Sequence, residues 1–221
     1  MGFCASWADG ILFPTCTKPC SLSVIVGTTL NSSELRQKTA VLNKFKHDKE
    51  QLLSMISRAK VSTIYQCSLE RAFKTPLLCD VSKVHTGYGI MPPIIRSTDD
   101  QDWGQVGSTK KVYAARSLTQ KGGFASLDKV LERVENKYWK FEVSDFQSWM
   151  LGFYKFTGEW KTTELEPNKI LVEYSYLLHS NLLLLYPLNW LFAQLFWKRY
   201  MSRVLENVRI LAYNNEPYLY S

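Results

Sequence analysis

Five runs with strand character follow one another between residues 107 and 179, and the links between them are too short for anything but antiparallel neighbours. The runs cover about 107–117, 124–136, 138–147, 152–165 and 169–179. Between them stand Gly122-Gly123, Asn136-Lys137, a longer link from Gln147 to Leu151, and Pro167-Asn168, all of them turn chemistry. The runs therefore form a meander.

Alternation within the runs assigns their faces. In the third, Trp139, Phe141 and Val143 alternate with Tyr138, Lys140, Glu142 and Ser144, so one face is apolar and the other wet. A two-residue turn at Asn136-Lys137 sets Val134 opposite Trp139, Glu132 opposite Phe141 and Val130 opposite Val143, which brings Glu132 onto the apolar face. Tyr154, Phe156 and Trp160 share one side of the fourth run, and Val172, Tyr174, Tyr176 and Leu178 one side of the fifth. A strict two-residue turn at Pro167-Asn168 would put those two sets on opposite faces, so a three-residue turn or a bulge is expected there.

After the meander, Leu182 to Trp197 is almost unbroken in apolarity and ends in Lys198-Arg199. It is short for a transmembrane helix, and Pro187, Asn189 and Gln194 dilute it. From Lys198 the period is helical: Met201, Val204, Leu205, Val208 and Leu211 recur on one side, with Arg203, Glu206, Asn207 and Arg209 on the other. One helix from about 188 to 211 accounts for both halves, with Pro187 in its first turn. Its first half is apolar all round and demands cover from a curved sheet, a ligand, a partner or lipid.

The first half of the chain is less regular. Residues 1–30 have no sustained period. Asn31-Ser32-Ser33-Glu34 marks a helix start, and Leu35, Val41, Leu42, Phe45, Leu52, Leu53, Met55 and Ile56 recur near helical spacing, which predicts an amphipathic helix to about Arg58. Its basic polar side is either a solvated face or a membrane-surface contact. Val61–Gln66 reads as a strand, Ser68 caps a helix that Pro76 interrupts, and a second short helical piece runs to Gly87. The segment from Tyr88 to Gly107 reads as a loop long enough to be functional. The expected domains are an extension at 1–57, a ligand-binding domain at 58–213 and a tail at 214–221.

Composition narrows the partners. With 46% hydrophobic residues and 21% charged, the chain can bury a core, which excludes wholesale disorder. The net charge of +7 is modest, and no arginine-rich tract, zinc-finger spacing or RNP motif appears, so no nucleic-acid partner is expected. Cys4, Cys16, Cys20, Cys67 and Cys79 form no paired CxxC and have no histidines at metal spacing, so neither a metal nor a cofactor is expected and reduced thiols in the cytoplasm are the default. Cys16 to Cys20 is open to a metal, a bridge or two loop thiols. Gly2, Cys4 and Ser6 fit a lipidation pattern without supporting basic residues, which leaves a peripheral membrane contact open.

The order of elements carries a resemblance. A strand, short helices opening with Ser68-Leu-Glu-Arg-Ala-Phe73, a loop ending in Trp103-Gly-Gln-Val-Gly107, a meander containing Leu131-Glu-Arg-Val134 and a closing helix with Trp197-Lys-Arg-Tyr-Met201 and Leu205-Glu-Asn-Val-Arg209 resemble the START/polyketide cyclase-like (SRPBCC) superfamily over about residues 60–212. That resemblance implies an α+β helix-grip fold: a curved antiparallel sheet wrapped around a long C-terminal helix, here with an N-terminal helical extension. It implies a cavity for lipids, polyketides or similar hydrophobic molecules, and in a minority of members a cyclase, aromatase or hydrolase. Within it, the lining candidates are Trp139, Phe141, Tyr154, Phe156, Trp160, Tyr174, Tyr176, Phe192 and Leu195. Glu132, among Val, Trp and Phe, is the candidate acid/base of a cofactor-independent cyclase or dehydratase, unless it pairs with Arg or Lys near the sheet edge. His85 lies near the cavity mouth, His179 on the face opposite Tyr174 and Tyr176, and His47 in the charged helix.

Overall fold

The structure is a computed structural model that describes residues 38, 39, 41, 55–98, 101–117, 121–146 and 151–220. It comprises two compact units, Met1–Lys44 and Phe45–Ser221. In the first, Lys38, Thr39 and Val41 are helical and exposed. The rest of the expected amphipathic helix, His47, the lipidation pattern at Gly2 and Cys4, and Cys16 and Cys20 lie outside the described residues. The expected helix end at Arg58 is corrected: Met55 is in a turn, and Ile56 opens a strand.

The second unit is a seven-stranded, wholly antiparallel sheet. Its strands are β1 (Ile56–Tyr65), β2 (Ile94–Ser97), β3 (Thr109–Ala114), β4 (Gly123–Val134), β5 (Tyr138–Ser144), β6 (Phe153–Glu166) and β7 (Lys169–Ser180). They lie in the order β1-β7-β6-β5-β4-β3-β2, so the meander runs unbroken from β2 to β7 and β1 returns to pair with β7. The segment expected as a loop between Tyr88 and Gly107 contains β2, an edge strand paired with β3. Two helices, α1 (Leu69–Leu78) and α2 (Val81–Val84), follow β1. Ser68 caps α1 by accepting from the Arg71 N–H at 3.3 Å.

Bulges set the faces. The β4–β5 turn holds three residues, Glu135 to Lys137, with Asn136 left-handed, so Val134 pairs with Tyr138 and Arg133 with Trp139. A bulge at Leu131 then shifts the register, and Val130 pairs with Phe141 while Glu132 pairs with Lys140. The β6–β7 turn is the two-residue Pro167-Asn168, and a bulge between Glu164 and Glu166 restores the shared face, setting Trp160 opposite Tyr174.

The closing helical run begins with a 3₁₀ turn at Leu183–Leu185 and continues as α3 (Tyr186–Leu191), a π-helical segment (Phe192–Trp197) and α4 (Lys198–Tyr213). α4 buries Met201, Val204, Leu205 and Val208, as the period predicts. It is pinned to β1 where Tyr65 Oη donates to the Leu205 carbonyl at 2.6 Å. The tail folds back on α1: Leu219 N–H donates to the Leu78 carbonyl at 2.9 Å. Among the described residues no helix is long and apolar enough to cross a membrane.

Candidate functional site

The core is closed at one end and open at the other. At the closed end Trp160 Nε1 donates to the Ala72 carbonyl at 3.1 Å and Trp103 Nε1 to the Leu77 carbonyl at 2.7 Å, and α1 and α4 fill the space beneath the sheet. At the other end a cavity of about 660 Å³ lies between sheet, α2 and the π-helical segment. The sheet contributes Val112, Ala114, Phe124, Ser126, Asp128, Phe141, Val143, Phe156 and Tyr176, and the opposite wall is His85, Met91, Trp197 and Tyr200.

Two local features keep the cavity open. A Cβ on Gly158 would stand 2.1 Å from the Phe141 ring, so the absence of a side chain there lets that ring lie flat on the sheet. The ring then meets Tyr176 edge-on, with centroids 5.5 Å apart. A π-helical segment widens the helix by one residue in the turn that delivers Trp197 to the cavity, a departure that is frequent at functional sites.

The polar groups gather at one wall. Lys110 and Asp128 are direct cross-strand partners on the inner face of β3 and β4. Asp128 Oδ1 accepts from Ser126 Oγ at 3.0 Å, and Lys110 Nζ lies 3.9 Å from the Trp103 ring centroid, a cation–π contact. His85 Nδ1 and Tyr200 Oη share a hydrogen bond of 2.7 Å, and Tyr174 Oη donates to Tyr176 Oη at 2.9 Å. Behind the main cavity a void of about 30 Å³ touches His85, Lys110, Asp128, Trp139, Trp160 and Tyr174, enough for a bridging water.

Burial governs the protonation of this wall. It pushes Asp128 up to about 6, against the opposing pull of Lys110 and Ser126. It pulls Lys110 down to about 8, offset in part by Asp128 and Asp80. His85 falls to about 4, through burial first and the charge of Lys110 second. His85 and Asp128 are part-buried, and both line the cavity. At neutral pH the wall carries one cation, one anion and a neutral imidazole. Tyr174, Tyr176 and Tyr200 are all raised by burial and stay protonated.

The sequence-predicted residues divide. Phe141, Phe156 and Tyr176 line the large cavity; Trp139, Trp160 and Tyr174 line the small void. Phe192 packs on Phe153, 5.7 Å between centroids, and lines neither. Tyr154 is corrected: a bulge between Phe153 and Lys155 turns it outward, 44% exposed and beside His179. Leu195 is on the outer face of the helix, 50% exposed. Glu132 is corrected too, because the bulge at Leu131 turns it to solvent. There it accepts from Lys140 Nζ at 3.0 Å and Tyr138 Oη at 3.1 Å, and these bonds hold its carboxyl below the usual range. His179 sits on the outer face, 3.2 Å from Thr157 Oγ1.

Lys110, Asp128, Ser126 and Tyr200 were not singled out by the sequence reading. The signal for Asp128 was present: the alternation that puts Val130 inside also puts Asp128 inside, two residues back on the same strand. Among the described residues no group of three or more His, Cys, Asp or Glu could hold a metal, and Cys67 and Cys79 are free thiols.

No protein-family profile matches the sequence, and no curated protein sequence does. Solved structures do match in fold. Ara h 8.0201 is 14% identical, with a TM-score of 0.52 over 72% of this chain and 99% of its own. Norcoclaurine synthase from Thalictrum flavum, in complex with dopamine and hydroxybenzaldehyde, is 10% identical, with a TM-score of 0.52 over 73% of this chain and 89% of its own. The di-domain ARO/CYC StfQ from the steffimycin biosynthetic pathway is 9% identical, with a TM-score of 0.54 over 86% of this chain and 62% of its own. The chain shares their helix-grip fold, a curved antiparallel sheet closed by a long C-terminal helix.

Proposed function

We propose that this helix-grip chain binds and carries a hydrophobic small molecule with one polar end, held between the sheet and the closing helix. The observation that carries the reading is the cavity of about 660 Å³, apolar over most of its wall and polar where His85, Asp128 and Tyr200 meet. Such a volume lies within the ~300–1,000 Å³ usual for small-molecule sites, and apolar burial at roughly 25 cal/mol per Å² supplies the affinity. The polar wall selects orientation: a ligand hydroxyl donates to the Asp128 carboxylate, and, with His85 Nδ1–H donating to Tyr200 Oη, the Tyr200 proton is free for a ligand carbonyl. Solved structures of this fold that hold aromatic small molecules support the class of ligand.

The test is a thermal-shift screen of lipids, sterols and polyketide-like aromatics against the wild type and Ala125→Trp, a filled variant in which an indole enters the cavity from Ala125, a residue of β4 that lines it. Compounds that raise the wild-type midpoint and leave the filled variant unmoved support the reading. Equal shifts in both proteins, or none in either, overturn it.

A second reading is favoured by one observation, the gathering of Asp128, His85 and Tyr200 on the cavity wall with Lys110 directly behind it. A carboxylate raised to about 6 is suited to general acid/base work, which transfers the catalytic role expected of Glu132 to Asp128 in a cofactor-independent cyclase- or dehydratase-like reaction. Asp128→Asn separates the two readings. Lost turnover with retained binding supports the enzyme; retained binding with no turnover by either protein supports the carrier.

A further inference from the structure

We propose that the first half of the closing helix docks on the surface of an anionic bilayer. The polarity of α3 is inverted for a helix in water. The one fully buried residue of α3 is Asn189, whose side-chain amide atoms have no partner among the described residues, while the leucines and a tryptophan face out. Leu184 is 95% exposed, and Leu183, Leu188, Trp190, Leu191 and Leu195 lie between 44% and 50%. At helical spacing these six positions fall on one continuous face, and no charged residue occurs from Asn181 to Trp197. Six exposed large apolar side chains together, in a run without a charge, mark an interaction site.

Charge selects the occupant. Lys198 and Arg199 follow the apolar stretch directly, and Gln194 Nε2 donates to the Arg58 carbonyl at 2.7 Å, which brings the exposed Arg58 of β1 to the same border. The next acidic residue along the helix is Glu206, beyond that border. An apolar face with a tryptophan and a cationic collar suits the headgroup boundary of an anionic membrane, entered to a depth of about 5–10 Å. The same collar opposes pairing of this face with a second copy of itself, because a two-fold contact would bring like charges together. The patch also adjoins the cavity: Phe196 packs on Tyr88 at 5.4 Å, Tyr88 hydrogen-bonds through its backbone to Met91, and Met91 and Trp197 line the cavity.

The test uses the full chain and vesicles of phosphatidylcholine, with and without phosphatidylserine. Wild type is expected to sediment with the anionic vesicles, to release as salt is raised, and to bind neutral vesicles more weakly. Leu184→Glu/Leu188→Glu, both at exposed positions, should lower partitioning at least about tenfold with an unchanged melting temperature. Lys111→Glu/Lys129→Glu makes a larger charge change on strands of the sheet and should bind nearly as well as wild type. Binding unaffected by the leucine pair overturns the proposal, as does a wild type that stays in solution with both vesicles. Self-association relieved by the leucine pair without vesicle binding also overturns it, by making the face an interface between copies. Ligand shifts from the cavity are measured without vesicles, so failure here and failure of the cavity reading are distinct.

Discussion

The two halves of the closing helix obey opposite rules. From Lys198 onward, the apolar positions Met201, Val204, Leu205 and Val208 are buried against β1 and α1, and Arg203, Glu206 and Arg209 are outside. From Tyr186 to Trp197 an asparagine is buried, leucines are exposed and the backbone widens into a π-helical turn beside the cavity. One half is built to hold the fold together, and the other gives up packing to border a void and an apolar surface. The local rules fail together where a site is expected.

Truncation should expose the difference most strongly. Met201→Ala removes a fully buried side chain and should cost about 2–5 kcal/mol in chemical denaturation, whereas Leu195→Ser on the outer face should change stability by no more than about 0.5 kcal/mol. Similar losses at both positions would break the comparison. Gly158→Val comes next. Its side chain cannot coexist with the Phe141 ring where it lies, so stability should fall by about 1–3 kcal/mol and ligand-induced shifts should vanish with the lost volume. Retained ligand shifts would remove Gly158 from the account of how the cavity stays open.

Asn189→Leu should act in the other direction. Replacing a buried amide that lacks partners should raise stability by about 1 kcal/mol, and a loss would mean that the amide is satisfied by groups beyond the described residues.

Smaller still is the pH response of the cavity wall, because two groups oppose each other. Asp128 binds its proton more tightly folded than unfolded, so its contribution to stability falls as pH rises from about 4 to about 6. His85 binds its proton less tightly folded, and its contribution rises from about 4 to about 6.5. The wild type should show little net slope in melting temperature over that window. His85→Gln should uncover the fall and Asp128→Asn the rise; identical profiles for both variants would contradict the assignment. Glu132→Gln, on the wet face, should move neither stability beyond about 0.5 kcal/mol nor ligand binding.

The packed half was legible in the sequence, because its information is periodic. Alternation in β5, β6 and β7 named Phe141, Phe156 and Tyr176, and the helical period of α4 named Met201, Val204, Leu205, Val208 and Leu211, five of the seven residues that it buries. The open half was legible only in outline. Two of the errors there trace to inserted residues: the third residue of the β4–β5 turn, with the bulge at Leu131, turned Glu132 out, and the bulge after Phe153 turned Tyr154 out. A bulge shows in the sequence only where two apolar sets must share a face, as beside Pro167-Asn168; elsewhere an alternating pattern read across one inverts every assignment beyond it. Lys110 was obscured for another reason. A lysine in a strand reads as solvent-facing, and only its cross-strand pairing with Asp128 and its seat on Trp103 make an inward position tenable.

The central claim is that the space between sheet and helix exists to hold a guest. Native mass spectrometry of the full chain after gentle extraction, compared with Ala125→Trp prepared in the same way, addresses it directly. The expected result is a reproducible adduct on the wild type that organic solvent removes and the filled variant lacks. A wild type that is bare in every preparation and takes up no compound from a hydrophobic panel, or an adduct equally present on the filled variant, would contradict it.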